Sequence, residues 1–379
     1  MPATVEQIIE ALRPVEDPEL HRSIVELGMV RDVAVTADGV SLTVVLTVPG
    51  CPLRNEIQNR VNTAVAPLAP NGKVAVDFGV MTDAERANVR QMLNGDPAST
   101  AGSGHAHGHA EGRAIPFAAK DSKTKPLLIS SGKGGVGKSS VTTNLAVALA
   151  AAGYKVGVVD ADIYGFSIPR MLGADRDPVV IDNMLLPPEA HGVRCISIGY
   201  FVPDGEAVIW RGPMLHKALE QFLTDVFWDE PDYLLIDMPP GTGDIALSLS
   251  QYLPKAEVLV VTTPQPAAQK VARLSAAMAK KVNLPVIGII ENMSWFTGDD
   301  GKRYELFGAG GGKELSKDLG VPLLAQIPLV MQLREGGDDG HPIAAVAPES
   351  EVGKSFHELA KSIVNMKPRR IFSKALKVN

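Results

Sequence analysis

The sequence predicts an α/β protein: a doubly wound, mainly parallel sheet in a large domain, preceded by a small α+β domain. From residue 123 onward, seven apolar runs rich in β-branched residues alternate with helical stretches. Because these runs are nearly continuous, they are typical of parallel strands that helices cover on both faces. Before residue 95 the pattern changes to short alternating strands and amphipathic helices, which indicates a separate unit.

The small domain, residues 1–95, is expected to hold three strands and three helices. Thr4 and Gln7 have the spacing of a capping box at the first helix, and Thr82 of "TDAE" opens the last helix in the same way. The strands are expected in "VRDVAVT", "VSLTVVLTV" and "KVAVDFGV", the first two joined as a hairpin through "ADG". The middle helix is expected to bury one apolar face, made of Ile57, Val61, Val65 and Leu68.

Residues 96–122 are rich in Gly, Ala, Ser and His and lack hydrophobic periodicity, which predicts a flexible linker. The large domain then extends over residues 123–379. Its strands are expected in "PLLISS", "KVGVVDAD", "VRCISIGY", "YLLIDMPP", "AEVLVVTTP", "VIGIIENMS" and "PLLAQIP". Ligands in such folds bind beyond the carboxyl ends of the strands, so the site is expected there.

Charge and cysteine content narrow the classes of function. The net charge of -6 and the pI near 5.8 argue against a nucleic-acid partner or a stable membrane association, since both require a positive surface. The chain has two cysteines, too few for a disulfide framework, which predicts a cytoplasmic location.

A phosphate-binding motif lies directly between a predicted strand and a predicted helix. "GKGGVGKS", from Gly132 to Ser139, fits the pattern G-x-x-x-x-G-K-[ST], whose backbone N–H groups surround phosphate oxygens. Lys138 is expected to neutralise the β- and γ-phosphates of ATP, and the Ser139 hydroxyl to ligate Mg²⁺. The predicted nucleotide contacts are Gly132, Gly134, Gly135, Val136, Gly137, Lys138, Ser139 and Ser140.

Three carboxylates are candidates for the chemistry beside this loop. Asp237 ends a hydrophobic strand, where a carboxylate holds Mg²⁺ through water, and Gly241 follows it near the γ-phosphate. Asp160 and Asp162 end another strand on the same face, Asp160 nearer the metal and Asp162 better placed to orient the attacking water. The alternative for this pair is capping of a helix N-terminus.

With its second lysine, Lys133, the loop resembles that of the deviant Walker A ATPases. In that class the signature lysine reaches the phosphates of a partner subunit, so the resemblance implies a homodimer in which Lys133 acts catalytically in trans, together with Lys138 and Asp162. A solvated lysine is the alternative.

Further motifs narrow the resemblance. "DADIYGFSIPRMLG", "IWRGPMLHKAL", "DMPPGTGD", "ENMSWF" and "FGAGGG" are similar to those of the Mrp/ApbC-type iron–sulfur cluster carrier ATPases, with a layout resembling the actinobacterial members. The first domain, with "DPEL" and "TVPGCP", resembles the small iron–sulfur assembly domain fused ahead of that ATPase. This implies transfer of clusters such as [4Fe–4S] from scaffold proteins to client apoproteins. It also implies that Asn292 reads the adenine edge and that Pro328 lines the base pocket; a turn is the alternative for Asn292.

One departure from this family concerns cluster ligation. Many members carry C-x-x-C just after "ENMS", where a dimer bridges a [4Fe–4S] cluster, but this chain has "WFTGDDGKRYELFG" there. Cys51, expected at a helix N-terminus that lowers its pKa, is the remaining candidate ligand, against a packed cysteine as the alternative. Cys195 is expected to be a buried core thiol. No role is assigned to Arg211.

Two other features leave alternatives open. The His105–His109 tract could bind a metal or be a solvated linker. The basic C-terminal tail, residues 367–379, raises the alternative of a septum-positioning ATPase anchored to a membrane, and a partitioning ATPase acting on DNA belongs to the same class.

Overall fold

A computed structural model describes the chain as two compact units. The described residues are 3–49, 53–94, 115–119, 121–163, 165–202, 212–241 and 243–366. The first unit is drawn from Met1–His107, Arg176–Glu189 and Gln221–Asp229, and the second from Gly108–Asp175, Ala190–Glu220 and Glu230–Asn379.

The helices and strands are numbered in chain order over the described residues. The helices are α1 (Val5–Leu12), α2 (Arg54–Val65), α3 (Asp83–Asn94), α4 (Lys138–Ala151), α5 (Ile168–Leu172), α6 (Gly212–Thr224), α7 (Gly243–Tyr252), α8 (Pro266–Lys281), α9 (Gly311–Leu319), α10 (Met331–Asp338), α11 (Ile343–Val346) and α12 (Glu351–Val364). The strands are β1 (Val30–Thr36), β2 (Gly39–Leu46), β3 (Val74–Val80), β4 (Lys125–Ser131), β5 (Val156–Asp160), β6 (Val179–Ile181), β7 (Met184–Leu186), β8 (Glu189–Ala190), β9 (Val193–Ser197), β10 (Tyr233–Asp237), β11 (Glu257–Thr262), β12 (Val286–Asn292), β13 (Phe296–Thr297), β14 (Arg303–Tyr304) and β15 (Leu323–Ile327).

In the first unit, the three predicted strands form a sheet in the order β1-β2-β3, antiparallel and then parallel. Both capping boxes are confirmed. The Thr4 hydroxyl accepts from the Gln7 N–H while the Gln7 side chain accepts from the Thr4 N–H, and Thr82 and Glu85 make the same reciprocal pair. Leu68 departs from the prediction: α2 ends at Val65, so Leu68 leaves the helical face and is 38% exposed.

The first unit also contains residues from far along the chain. Ile181 and Met184 of the β6–β7 hairpin, with Leu186 and Phe227, belong to the same hydrophobic core as the α1 and α2 side chains. Ion pairs add to this core, including Arg176 to Glu19 at 2.6 Å. The compact unit is therefore not the continuous range 1–95, because strands this short bury their apolar side chains only against a neighbouring core.

The second unit contains the predicted doubly wound sheet. Its strand order is β15-β12-β11-β4-β10-β5-β9-β8, and every pairing from β15 to β9 is parallel. α4 packs with α11 and α12, and α8 packs with α7 and α9. All seven predicted strands are present; the β13–β14 hairpin was not predicted. None of the helices in the described ranges has the length and hydropathy that a membrane crossing requires.

The end of the predicted flexible linker is packed. Residues 115–119 are described, and Ile115 and Phe117 are each only 5% exposed around a single 3₁₀ turn, Pro116–Ala118. The Lys255 ammonium group donates to the carbonyl oxygen of Ala119. A flexible linker over 96–122 is therefore wrong for these last residues, because two large apolar side chains gain free energy by leaving water.

A reciprocal pair of substitutions tests the division into units. Phe227→Ala removes a ring from the first core, and Phe356→Ala removes a fully buried ring from the second. Each should lower the free energy of unfolding of its own unit by about 3–5 kcal/mol. Hydrogen exchange should show faster exchange in β2 for Phe227→Ala and in β4 for Phe356→Ala. The same exchange pattern in both variants would contradict two separate cores.

Candidate functional site

The candidate site lies at the carboxyl ends of the parallel strands of the second unit. Residues 132–137 connect the end of β4 to the start of α4, and α4 begins with Lys138. β5 and β10 lie side by side, with Asp160 opposite Asp237 in the register. The sheet therefore gathers side chains that are about 100 residues apart in the sequence.

Two glycines of this loop are required by close approaches. Gly137 has a φ of +78°, and a Cβ there would lie 2.2 Å from the Asn292 amide nitrogen. A Cβ on Gly132 would lie 2.2 Å from the carbonyl carbon of Val271 in α8. Any larger side chain would push the loop away from β12 or from α8, so these glycines fix where the loop lies. Between them, Gly134 and Gly135 have open space at their Cβ positions, and Val136 is buried.

The Asp237 carboxyl group is the centre of the site. One of its oxygens accepts from the Lys138 ammonium group at 2.5 Å and from the Ser139 hydroxyl at 2.6 Å. The other oxygen accepts from the Thr142 hydroxyl at 2.6 Å. Asp237 is fully buried, so these three donors replace the water that the carboxyl group would otherwise bind.

Lys138 is a buried lysine held between carboxyl groups. Its side chain is 6% exposed, and its ammonium group lies 3.6 Å from an Asp162 carboxyl oxygen as well as against Asp237. Asp162 is 14% exposed, so it lies on the more solvent-accessible side of the Lys138–Asp237 pair. The predicted members Lys138, Ser139, Asp162 and Asp237 are thus brought together by the fold.

The Asp160 carboxyl group accepts hydrogen bonds mainly from the backbone that follows β5. One of its oxygens accepts from the Asp162 N–H, and the other accepts from the N–H groups of Ser167 and Ile168 and from the Ser197 hydroxyl. Four donors thus surround a carboxyl group that is fully buried. This arrangement favours the capping alternative for Asp160, whose carboxyl group accepts from the N–H groups of Ser167 and Ile168 at the start of α5.

Burial raises the pKa values of two groups here. Loss of water, and then repulsion from Asp237, raise the pKa of Asp160 to about 7. Burial in β9, and then the Asp160 carboxyl group, raise the pKa of the Cys195 thiol well above its ordinary value. Cys195 is 0% exposed, which confirms the predicted core thiol.

Lys133 lies on the other side of the loop from Lys138. Its ammonium group donates to the Gln265 side-chain oxygen at 3.2 Å, and Gln265 is the N-cap residue of α8. No described contact joins Lys133 to Lys138 or Asp237. Within its own chain, Lys133 therefore stays apart from the buried cluster.

The remaining predicted contacts lie around the same loop. The Asn292 amide nitrogen donates to the carbonyl oxygen of Val136 at 2.9 Å, which places the end of β12 against the loop. Pro328 is buried and directly follows Ile327, the β15 residue that pairs with Asn292. The Gly241 N–H donates to the carbonyl oxygen of Ser131 at 3.0 Å. Ser140, in the first turn of α4, is half-buried.

Some predicted features lie outside the described residues. These are Cys51, Arg211, the His105–His109 tract and the basic tail from residue 367. Among the residues that are described, no group of three or more His, Cys, Asp or Glu side chains is arranged to hold a metal ion.

Sequence reasoning missed three residues that complete the site: Thr142, Gln265 and Glu291. Thr142 lies one helical turn after Lys138, so its spacing could have placed it beside Asp237. Gln265 and Glu291 had no such signal, because their partners are distant in the sequence and only the fold brings them together.

Two family models match this chain. Residues 123–364 match the NUBPL iron-transfer P-loop NTPase, and residues 5–78 match a domain described as an iron-sulfur cluster assembly protein. The first match alone covers more than half of the chain. The protein belongs to the NUBPL iron-transfer P-loop NTPase family.

Relatives of this iron-transfer NTPase align over most of its length. An iron-sulfur cluster carrier protein from Mycobacterium tuberculosis is 46% identical over 93% of this chain and 91% of its own. One from Synechocystis is 42% identical over 95% of this chain and 97% of its own. Among solved structures, a nucleotide-binding protein from Archaeoglobus fulgidus in complex with ADP is 34% identical, covers 62% of this chain and 93% of its own, and has a TM-score of 0.53.

The pKa of Asp160 leads to a prediction about stability. Between about pH 4 and about pH 7, Asp160 binds more protons in the folded protein than in the unfolded chain, because its folded pKa is raised from 3.8 to about 7. The contribution of Asp160 to the free energy of unfolding, without Mg²⁺ or nucleotide, should therefore fall as pH rises through this window. Asp160→Asn should flatten that fall in urea denaturation between pH 4.5 and 8, whereas Asp299→Asn, at an exposed position, should not. A constant difference from wild type at every pH would contradict the raised pKa.

Proposed function

We propose that this NTPase is an ATP-hydrolysing iron–sulfur cluster carrier that binds clusters and transfers them to target apoproteins. The observation that carries this function is the presence of both matches, iron-transfer NTPase and iron–sulfur assembly domain, on one chain. Full-length relatives named as cluster carriers support it. The septum-positioning and partitioning alternatives are not favoured by these relatives.

The hydrolytic site is proposed to use the residues gathered at Asp237. The 132–140 backbone and Lys138 bind the phosphates, and Lys138 exchanges its contact with Asp237 for the β- and γ-phosphate oxygens. Ser139 and Asp237 offer the hard oxygen ligands that Mg²⁺ prefers, the latter through water, and Mg²⁺ would neutralise phosphate charge. Asp162, at the open edge of the cluster, orients the attacking water.

Lys133 is proposed to complete the site of a second copy. It makes no described contact with the Lys138–Asp237 cluster of its own chain, and its ammonium group donates to a neutral partner, the Gln265 side chain. In a homodimer that closes around two nucleotides, Lys133 would stabilise transition-state charge on the partner's phosphates. Loss of the γ-phosphate would then loosen the dimer, which couples hydrolysis to cluster handling.

Lys133→Ala should keep nucleotide binding while lowering kcat for ATP hydrolysis by about 10³-fold, the range of cationic residues supplied in trans. Lys138→Ala should lose both nucleotide binding and hydrolysis, because Lys138 contacts the phosphates in the ground state as well as in the transition state. Lys302→Ala, at a lysine that is 77% exposed, serves as the control and should change neither. Equal losses of binding and hydrolysis in Lys133→Ala would contradict its separate role.

Mixing variants distinguishes action in trans from action in cis. Lys133→Ala and Asp162→Asn should each be inactive alone. A mixed dimer holds one complete site, whose Asp162 comes from the first variant and whose Lys133 comes from the second. An equal mixture should therefore regain about a quarter of the wild-type rate, since about half of the dimers are mixed. No recovery on mixing would show that Lys133 acts on its own chain's nucleotide.

Cys51 is the proposed protein ligand of the cluster. The chain has two cysteines, and Cys195 is fully buried with a raised pKa, which excludes it as an accessible thiolate. Iron–sulfur scaffold proteins and client apoproteins are the proposed partners, by analogy with the named carriers. A cytoplasmic location fits the low cysteine content.

Anaerobic reconstitution with iron and sulfide tests the ligand. The wild type should gain iron and visible absorption, and Cys51→Ala should lose both, since thiolates hold such clusters. Cys195→Ala is the matched control and should reconstitute like wild type. Equal cluster content in wild type and Cys51→Ala would contradict the assignment, and no cluster in any variant would contradict direct carriage.

A further inference from the structure

A buried carboxyl group lies beside the predicted adenine-reading residue. Glu291, next to last in β12, is 1% exposed. One of its carboxyl oxygens accepts from the Ser294 hydroxyl at 2.9 Å and from the Gln326 amide at 2.7 Å, and the other accepts from the Gly312 N–H. The carboxyl group thus joins the turn after β12 to β15 and to the start of α9.

The glycines of the "GAGGG" motif make room for this carboxyl group. A Cβ on Gly312 would lie 2.8 Å from the Glu291 Cβ and 2.9 Å from a carboxyl oxygen. A Cβ on Gly311 would lie 2.0 Å from the Gln269 amide nitrogen. Gly312 therefore lets the start of α9 approach Glu291 of β12, and Gly311 lets it approach Gln269 of α8.

The turn that Glu291 holds is strained. Met293, between Asn292 and Ser294, has a φ of +56°, a left-handed conformation that is unfavourable for a non-glycine residue. Such a conformation persists when surrounding contacts hold it. The Ser294 hydroxyl lies 2.9 Å from a Glu291 carboxyl oxygen and 3.0 Å from the Glu291 backbone carbonyl oxygen, so both of its possible acceptors belong to Glu291 and lie on the other side of this residue.

Asn292 requires a fixed orientation to distinguish bases. Because its amide nitrogen donates to the Val136 carbonyl oxygen, its own carbonyl oxygen is the end that can accept from a ligand. Adenine presents an amino donor on its exocyclic edge where guanine presents a carbonyl acceptor. An amide fixed this way around favours adenine, while a freely rotating amide would accept either base.

We propose that Glu291 is the positioning residue for adenine selectivity: by holding the strained turn against β15 and α9, it fixes the Asn292 amide on the loop. The proposal rests on the proposed function and on Asn292 reading the adenine edge, the role that the family resemblance implies. Glu291 acts through Asn292, its neighbour in β12, and its described partners are Ser294, Gln326 and Gly312.

The ratio of kcat/KM for ATP to that for GTP tests this role. Glu291→Ala and Asn292→Ala should each lower the ratio about tenfold. Because Glu291 acts through Asn292, the double variant should have the same ratio as Asn292→Ala alone. Glu291→Gln should restore most of the selectivity. The carbonyl oxygen of the new amide can accept from the Gly312 N–H. Its NH₂ group can donate to the Ser294 hydroxyl oxygen and, after the Gln326 amide flips, to the Gln326 carbonyl oxygen.

A matched control separates positioning from stability. Ser316→Ala removes the hydrogen bond from the Ser316 hydroxyl to the carbonyl oxygen of Val321, at the other end of α9. This variant should be less stable but should keep the wild-type ratio of kcat/KM for ATP to that for GTP. Loss of stability with unchanged selectivity in Glu291→Ala would overturn the proposal. An unchanged ratio in Asn292→Ala would instead overturn the base reading, and the proposal with it. If Glu291→Ala does not fold, Gln326→Met removes one of the three donors and should lower the ratio in the same direction.

Discussion

The nucleotide site depends on one buried carboxyl group, that of Asp237. Lys138, Ser139 and Thr142 all donate to it, so the first turn of α4 is bound to the end of β10 and not only to the strand that precedes it. A buried carboxyl group that lost these donors would remain unsolvated at a cost of several kcal/mol, which makes the three bonds mutually dependent. Lys138 and Ser139 of the loop motif thus meet Asp237 through direct hydrogen bonds.

The adjacent strands β10 and β5 each end in a buried carboxyl group, and these two groups have different partners. Asp237 takes the direct contact with Lys138, whereas Asp160 is satisfied by backbone N–H groups of the following loop. Asp162 then remains at the open edge, where it can meet water. The difference follows from the donors that each strand end meets: side chains of α4 at Asp237, and backbone N–H groups after β5 at Asp160.

The strands of the large sheet and the position of the 132–139 loop could be predicted from the sequence because both depend on local signals. Continuous apolar runs mark buried strands, and "GKGGVGKS" specifies its own conformation through its glycines. The composite core around Phe227, the burial of Phe117 and the contacts of Glu291 with Gly312 and Gln326 could not be predicted, since each depends on the tertiary fold and not on a local pattern. Asp160 shows the limit most clearly: a carboxylate at a strand end fits a metal ligand and a helix cap equally well until its donors are known.

The segment after Ser294 forms a hairpin with side-chain contacts of its own. β13 pairs with β14, and the Arg303 guanidinium lies 4.2 Å from the centre of the Trp295 ring and pairs with Glu351 at 2.9 Å. A cation–π contact and an ion pair thus stabilise this segment, which contains no cysteine. Of the two cysteines in the sequence, Cys195 is fully buried and the pKa of its thiol is raised, so it is held in the core and is not an accessible thiolate. A cluster held by a thiolate of this chain would therefore require Cys51.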